Sequence, residues 1–440
     1  MSHHEYYRPP WKLMTPGNGV LMAIMAIGFM AAVYRFIQGL GATTNLTDQF
    51  PWGMWVAFDV ICGVALAAGG FTTAAVVYVF WGEEYHGLVR PAVLTGFLGY
   101  LFVAVGLLVD LGLPWHIWHP IIFWPKHSAL FEVAWCVMLY MAVLGLEFLP
   151  SVFERFGWTK LHELFKMLVP PFVVLALTWF TYIMSHSVAW SVAAFIVLTL
   201  LAIFLPRLIR GDRGVPILLI FAGILFSTAH QSSLGTLFLL TPDKLHELWW
   251  TPMLPVNFFM SAVAVGFAMV TFEATLAAKN YRLGVEEHAL CGLGTILKYV
   301  LLVYLVVRVV DLAVRGHLGG LASPLGLLFT AEMLVGVIVP MVILFVNRFR
   351  RNTWLRFTAA SMVIFGLIFN RFNVTLLAMD RPGEGFYFPH LIEFVVSMAI
   401  VAAILFFYNI MVKMFPVLPD TTDAVQPALT SDNLGGASDS

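Results

Sequence analysis

The sequence predicts an all-α polytopic membrane protein, with about twelve transmembrane helices in bundles and both termini cytoplasmic. Three observations predict it. Of 440 residues, 60% are hydrophobic and only 11% charged, whereas a soluble domain carries about 25% charged residues. The apolar residues come in runs of about 20 or more, the length that crosses a hydrocarbon core. The lysines and arginines between these runs fall almost wholly on alternate loops.

Polar stretches and Pro or Gly breaks delimit twelve runs, at 17–41, 52–82, 88–112, 126–153, 165–186, 189–207, 214–240, 252–279, 287–314, 325–347, 354–378 and 388–415. The fifth and sixth are the weakest, separated only by His186-Ser187-Val188. Residues 1–16 form an N-terminal segment and 17–415 the membrane domain. Residues 416–440, rich in Asp, Ser, Thr and Gly with no helical pattern, are expected to be a disordered cytoplasmic tail. The N-terminus lacks a basic start leading directly into a short apolar core and a small-residue cleavage site, so no cleaved signal peptide is expected.

Orientation follows from the basic residues, which favour the cytoplasmic side. The N-terminal segment, the even-numbered loops and the C-terminal end carry Arg8, Lys12, Arg90, Arg155, Lys160, Lys166, Arg207, Arg210, Arg213, Lys279, Arg282, Arg348, Arg350, Arg351, Arg356 and Lys413. The odd-numbered loops carry Lys126, Lys244, Arg315 and Arg381, giving 16 against 4. The odd loops are rich in Trp, Pro and His instead, as in Pro114-Trp115-His116-Ile117-Trp118-His119-Pro120. That composition suits an interfacial aromatic belt and a docking surface for an outer partner. The chain is expected to be an inner-membrane protein.

An ionisable side chain at mid-membrane costs about 2.5–3.5 kcal/mol on insertion scales, so a cluster of them needs a reason. Distance from the loops places Asp59, Asp110, Glu132, His230, Asp311, Arg371, His390 and Glu393 in the outer half, with Asn257, Gln231, Ser232 and Asn373 as neutral neighbours. Glu147, Glu273 and Lys298 lie in the middle and inner part. Glu132 and Glu147 are 15 residues apart on one span, about 22 Å at 1.5 Å per residue. The pattern reads as an outer polar pocket with titratable groups leading toward the cytoplasm. The bland alternative is a set of ion pairs fixing helix packing, and Arg308 with Asp311, three residues on, is read that way. Gly63, Gly69 and Gly70 are read as close-packing positions.

Other classes are excluded on composition. A net charge of −1 leaves no basic footprint for nucleic acid. Cys62, Cys136 and Cys291 are dispersed in apolar runs and cannot supply the four thiolates of an iron–sulfur cluster. No metal site is expected. A haem would need axial ligands; His230 and His390 share a depth, but no second pair continues across the membrane.

The strings Trp52-Gly-Met-Trp-Val-Ala-Phe-Asp59, His230-Gln-Ser-Ser-Leu-Gly235, Leu245-His-Glu-Leu-Trp-Trp-Thr-Pro252, Asn370-Arg-Phe-Asn373 and Tyr387-Phe-Pro-His390 resemble those of the NrfD/PsrC superfamily. The likeness is greatest to its HybB-like branch, the membrane subunits of periplasmic nickel–iron hydrogenases, and it runs from about Pro10 to Pro416. At the last string His390 stands where the family usually has a small residue.

The resemblance implies a haem-free helical subunit that exchanges electrons between membrane quinone, menaquinone or ubiquinone, and a periplasmic iron–sulfur subunit serving a catalytic subunit of nickel–iron hydrogenase type. By local motif, the three glutamates that support quinone chemistry and proton passage in HybB-like proteins correspond to Glu132, Glu147 and Glu273. Asp59, Glu132, His230, Gln231, Ser232, Arg371, Asn373 and His390 are then the expected quinone site, and Glu147, Glu273 and Lys298 the expected proton path. Relatives of this kind usually have about ten spans, which marks the fifth and sixth as an added pair. From the residues alone a second class stays open, a secondary transporter or proton channel without a redox role.

Overall fold

The computed structural model describes residues 6–47, 50–80, 82–125, 128–208, 216–240, 242, 244–281, 283–284, 286–379 and 387–419. Apart from one short ribbon, its regular structure is helical. In hydrocarbon every backbone N–H and C=O must be satisfied within the segment, which a helix does. The principal helices are α1 (Pro16–Gln38), α2 (Trp55–Tyr78), α3 (Glu84–Asp110), α4 (Ala129–Phe156), α5 (Thr159–Ser185), α6 (Val188–Leu208), α7 (Ile217–Leu239), α8 (Leu254–Tyr281), α9 (Glu287–Val314), α10 (Pro324–Phe345), α11 (Thr353–Leu377) and α12 (Leu391–Met414).

Their ends carry the signals that end helices. Thr15 accepts from the Asn18 amide ahead of Pro16 at the first helical position of α1, and Ser128, Ser323 and Asn352 cap α4, α10 and α11 in the same way. Gly157, at φ 66°, closes α4 in the left-handed conformation that glycine adopts without strain. Large apolar side chains line the outer surface, Met30 at 62%, Phe172 at 62% and Phe204 at 57% exposed. Such a surface suits lipid and not water.

Eleven of these helices are long and apolar enough to cross a membrane. The described apolar part of α6, Val188–Phe204, is shorter. A two-stranded antiparallel ribbon joins β1 (Tyr6–Tyr7) to β2 (Leu418–Pro419), so these two segments lie on one face, an arrangement consistent with an even number of crossings. The same ribbon changes the reading of the C-terminal segment. Residues 416–419 are tied into the structure, with the Pro416 carbonyl accepting from Arg90 at 2.8 Å and the Tyr6 ring 3.8 Å beneath the Arg90 guanidinium. The rest of the expected tail lies outside the described residues.

The helices form two four-helix rings. In the first, α2, α3, α4 and α7 pack in turn on one another; in the second, α8, α9, α10 and α11 do so. The rings meet where α8 packs on α7 and α2, and where α11 touches the start of α2. At the α2–α8 crossing a Cβ on Gly266 would stand 2.7 Å from Thr72 Oγ1 and 3.0 Å from the Ala68 carbonyl, so only glycine permits that approach. Helices α1 and α12 pair and lean on α3. Helices α5 and α6 pair with each other at the periphery and touch the first ring at α4 and α7.

Candidate functional site

The first ring encloses a polar core. His230, fully buried on α7, has its ring 5.7 Å from Tyr100 of α3 and faces the Val133 carbonyl of α4. Tyr100 meets Tyr140 of α4 edge to face at 4.7 Å. The neighbouring Gln231 donates from Nε2 to the Val64 carbonyl at 3.1 Å, fastening α7 to α2. These polar groups face one another, the Tyr100 hydroxyl against Ser227 and Gln231 and the Tyr140 hydroxyl against Ser227 and the Phe71 backbone, but among the described residues none of these contacts has the geometry of a full hydrogen bond. Buried polar atoms are nearly always well partnered, so the first ring holds a loosely satisfied polar cluster.

The expected quinone residues do not share one pocket. His230 and Gln231 belong to this core. Ser232 bonds back to the Thr228 carbonyl at 2.6 Å along its own helix. Glu132 stands in the first turn of α4, one residue before Val133, but its side chain is exposed at the rim and not enclosed as expected. The reason is helical azimuth, because the buried stripe of α4 runs through Phe131, Cys136, Val137 and Tyr140.

Asp59 sits on the other side of α2, within a π-helical stretch, Trp55–Cys62. Its Oδ2 accepts from Ser397 of α12 at 2.7 Å, and its Oδ1 has no partner among the described residues. A π-helical stretch turns side chains out of the α register and recurs at functional sites.

Arg371 and Asn373 belong to a separate cluster in the second ring, around Glu332. That carboxylate accepts from Trp249 at 2.8 Å and from Asn370 and Asn373 at 2.7 Å each. Asn370 in turn accepts from Arg371 at 2.7 Å, while Arg371 also donates to Ser261 and lies 3.7 Å over the Phe258 ring. Glu332 escaped the sequence reading, although an acid inside an apolar run was signal enough to find it. Two further π-helical segments, Leu334–Ile338 and Asn373–Leu377, border this cluster.

His390 is a helix cap. Its Nδ1 accepts from the Ile392 amide at 3.2 Å, and Glu393 reciprocates on the His390 amide at 3.0 Å. Glu393 also accepts from the amides of Asn45 and Met54 and from the Tyr387 hydroxyl. Burial, and next the Glu393 carboxylate, push the Tyr387 hydroxyl above its ordinary range. The expected ion pair between Arg308 and Asp311 does not form. Asp311 is instead held by Arg315 at 3.0 Å and by Thr251 at 2.7 Å.

The expected proton path divides. Glu147 lines a cavity of about 90 Å3 whose other walls include His86, Arg90, Glu154 and His162, on the face where the termini meet. A Cβ on Gly223 of α7 would come within 3.2 Å of Glu147 Oε1, so the glycine leaves the carboxylate its room. Glu273 accepts from Thr95 at 2.7 Å, has Tyr408 beside it, and lines a second cavity of about 40 Å3 walled partly by Leu418 and Pro419 of the ribbon. Lys298 stands apart on α9, its ammonium 4.8 Å from the Tyr299 ring and 5.0 Å from Phe345.

The polar core and the Glu147 cavity are joined along α4. Tyr140 lies 8 residues from Glu132 and 7 from Glu147, or about 12 and 10 Å along the axis. The core can offer hydrogen bonds to a carbonyl-bearing ring and proton carriers on either side of it.

The family model for polysulphide reductase, NrfD, matches residues 42–379. The chain belongs to the NrfD family. Over 407 residues, 90% of this chain and 91% of the relative, it is 31% identical to the probable Ni/Fe-hydrogenase 2 b-type cytochrome subunit of Escherichia coli. It is 27% identical over 426 residues, covering 90% of each chain, to the menaquinone reductase integral membrane subunit of Nitratidesulfovibrio vulgaris. A further protein of that organism is 37% identical over 426 residues, covering 94% of this chain and 97% of the relative. The NrfD match spans both rings, and with them the His230 core and the Glu332 cluster.

The E. coli name speaks of a b-type cytochrome, at odds with the haem-free expectation. A bis-histidine site needs two facing imidazoles. In this NrfD chain the two histidines of the expectation do not fit one, because His230 packs among α3 and α4 while His390 spends its Nδ1 capping α12, which packs on α1 and α3.

Proposed function

We propose that this NrfD chain is the quinone-reacting membrane subunit of a respiratory oxidoreductase complex in a bacterial inner membrane. Electrons pass between an iron–sulfur partner on the outer face and menaquinone or ubiquinone near that face. Protons come from the cytoplasm, the side of the basic loops and of both termini. The chain itself carries neither haem nor cluster, and the catalytic partner is of hydrogenase type. The observation that carries the reading is the buried polar cluster of His230, Gln231, Ser227, Tyr100 and Tyr140 inside the first ring, whose contacts with one another fall short of full hydrogen bonds.

In the first ring, His230 or Gln231 donates to a quinone carbonyl, and Glu132 at the rim relays protons to the reduced ring. Asp59 supports the site from the α12 side. Tyr100 and Tyr140 join this place to Glu147, while Glu273 takes protons through its own cavity. The relatives named as hydrogenase and menaquinone reductase subunits support the class of reaction. Affinity purification of the full chain from its native membrane tests the assembly. The expected result is an iron–sulfur protein in fixed ratio and quinone-dependent electron transfer; a solitary chain inert toward quinone would favour a transporter.

A further inference from the structure

Arg308 of α9 is a buried cation without a counter-charge. It is 4% exposed, and its Nε and Nη2 have no hydrogen-bond partner among the described residues. Its Cζ lies 5.0 Å over the Phe329 ring of α10, a contact that supports the face of a guanidinium but brings no opposite charge. The acid nearest in sequence, Asp311, is held by Arg315 and Thr251. Glu332 of α10 has both oxygens taken by Trp249, Asn370 and Asn373, and Arg371 of α11 reaches it only through Asn370. Among the described residues in this part of the second ring, two arginines thus stand against one glutamate. Arginine cannot shed its proton to escape burial, and a buried charge left unpaired is strongly destabilising.

A cavity begins one helical turn away. Tyr304, four residues before Arg308 on α9, lines a space of about 30 Å3 together with Ser261, Glu332 and Asn370. The charges of Arg308, Glu332 and Arg371 all act on the Tyr304 hydroxyl. On the same cavity α10 and α11 pack backbone to backbone, where a Cβ on Gly336 would stand 2.7 Å from the Gly366 Cα, so the gap does not come from loose packing. One water needs about 10–15 Å3 on this measure, so the space takes about two waters or one ion of halide size. We propose that the second ring binds a monovalent inorganic anion of that size, such as chloride, between Arg308 and Tyr304. Arg308 donates from Nε and Nη2, and Tyr304 from its hydroxyl. Water would satisfy these donors but leave the charge, whereas the anion balances Arg308 and Arg371 against Glu332. It takes no part in electron or proton transfer, so the site stands independently of quinone chemistry.

The test uses the purified intact complex in gluconate, an anion too large for the cavity, titrated with chloride or bromide at constant ionic strength. A ligand that binds only the folded protein raises the melting temperature as its concentration rises. Wild type should melt at least about 2 °C higher in halide than in gluconate, and crystals grown in bromide should show an anomalous peak beside Arg308. Arg308→Gln removes the charge, and its melting should be the same in both salts. Tyr304→Phe keeps the ring and should need about tenfold more halide for half the effect; it carries the comparison if Arg308→Gln does not assemble. Wild type that melts equally in halide and gluconate, with no bromide beside Arg308, would overturn the proposal. So would a halide effect undiminished in Arg308→Gln or in Tyr304→Phe. A shift produced only by added anionic phospholipid would also overturn it, and would give the guanidinium to a lipid phosphate.

Discussion

Tyr100 of α3 and Tyr140 of α4 meet edge to face with ring centroids 4.7 Å apart. The contact ties the His230 core to the stretch of α4 that descends to Glu147. Replacing Tyr140 with Phe keeps the ring and its packing but removes the hydroxyl. Proton-linked turnover in sealed vesicles should fall about tenfold, the lower scale for losing a positioned proton carrier. The complex should still assemble. A variant that generates the full membrane potential would remove Tyr140 from the path.

Glu132 keeps its carboxylate at the rim of α4, beside the residue whose carbonyl faces His230. Glu132→Gln preserves shape and hydrogen bonding while abolishing the titratable proton. Quinone reduction by the purified complex should drop at least about tenfold, with the partner subunit still bound. Unchanged turnover would make Glu132 a surface residue only.

Glu332 answers Arg371 through Asn370 and takes two further hydrogen bonds from Trp249 and Asn373. Glu332→Leu leaves Arg371 buried without its carboxylate. The donors of Trp249, Asn370 and Asn373 would then be buried without their acceptor, at about 1–3 kcal/mol each, so the detergent-solubilised protein should melt well below wild type. Asp311→Asn, at a site also held by surface-accessible Arg315, should shift melting far less. Equal melting of Glu332→Leu and wild type would show that the second-ring cluster does not hold the fold.

The ribbon places Tyr6–Tyr7 and Leu418–Pro419 on one face, and the basic-loop bias predicts that this face is cytoplasmic. Reporter fusions after Pro416 and at Trp118 should report cytoplasm and outside respectively. A Pro416 fusion found outside would reverse every depth assignment.

Most of the fold was legible because apolar runs interrupted by polar loops have one solution in a bilayer. Counting residues from the loops also grouped His230 and Gln231 in one polar layer, and the structure sets them together in the first ring with Tyr100. Azimuth could not be read. A helix apolar all round carries no amphipathic stripe to say which way a side chain points. Hence Glu132 and Asp59, expected in one pocket, face a rim and α12 respectively, and Lys298 shares only a depth with Glu147 and Glu273. Depth and a place in the Tyr387-Phe-Pro-His390 string assign His390 to the outer pocket, whereas its position one residue before α12 makes it a cap. Tyr100 and Tyr140 went unseen because an uncharged tyrosine in a span looks like any aromatic packing residue.

The central claim is that the buried core around His230 reacts with quinone, and one measurement addresses it directly. The purified complex carrying His230→Phe keeps an aromatic ring against Tyr100 but offers no nitrogen to a quinone carbonyl. Its rate of quinone reduction should fall at least about tenfold while its iron–sulfur partner stays bound and reduced. A His230→Phe complex that reduces quinone at the wild-type rate would contradict the account.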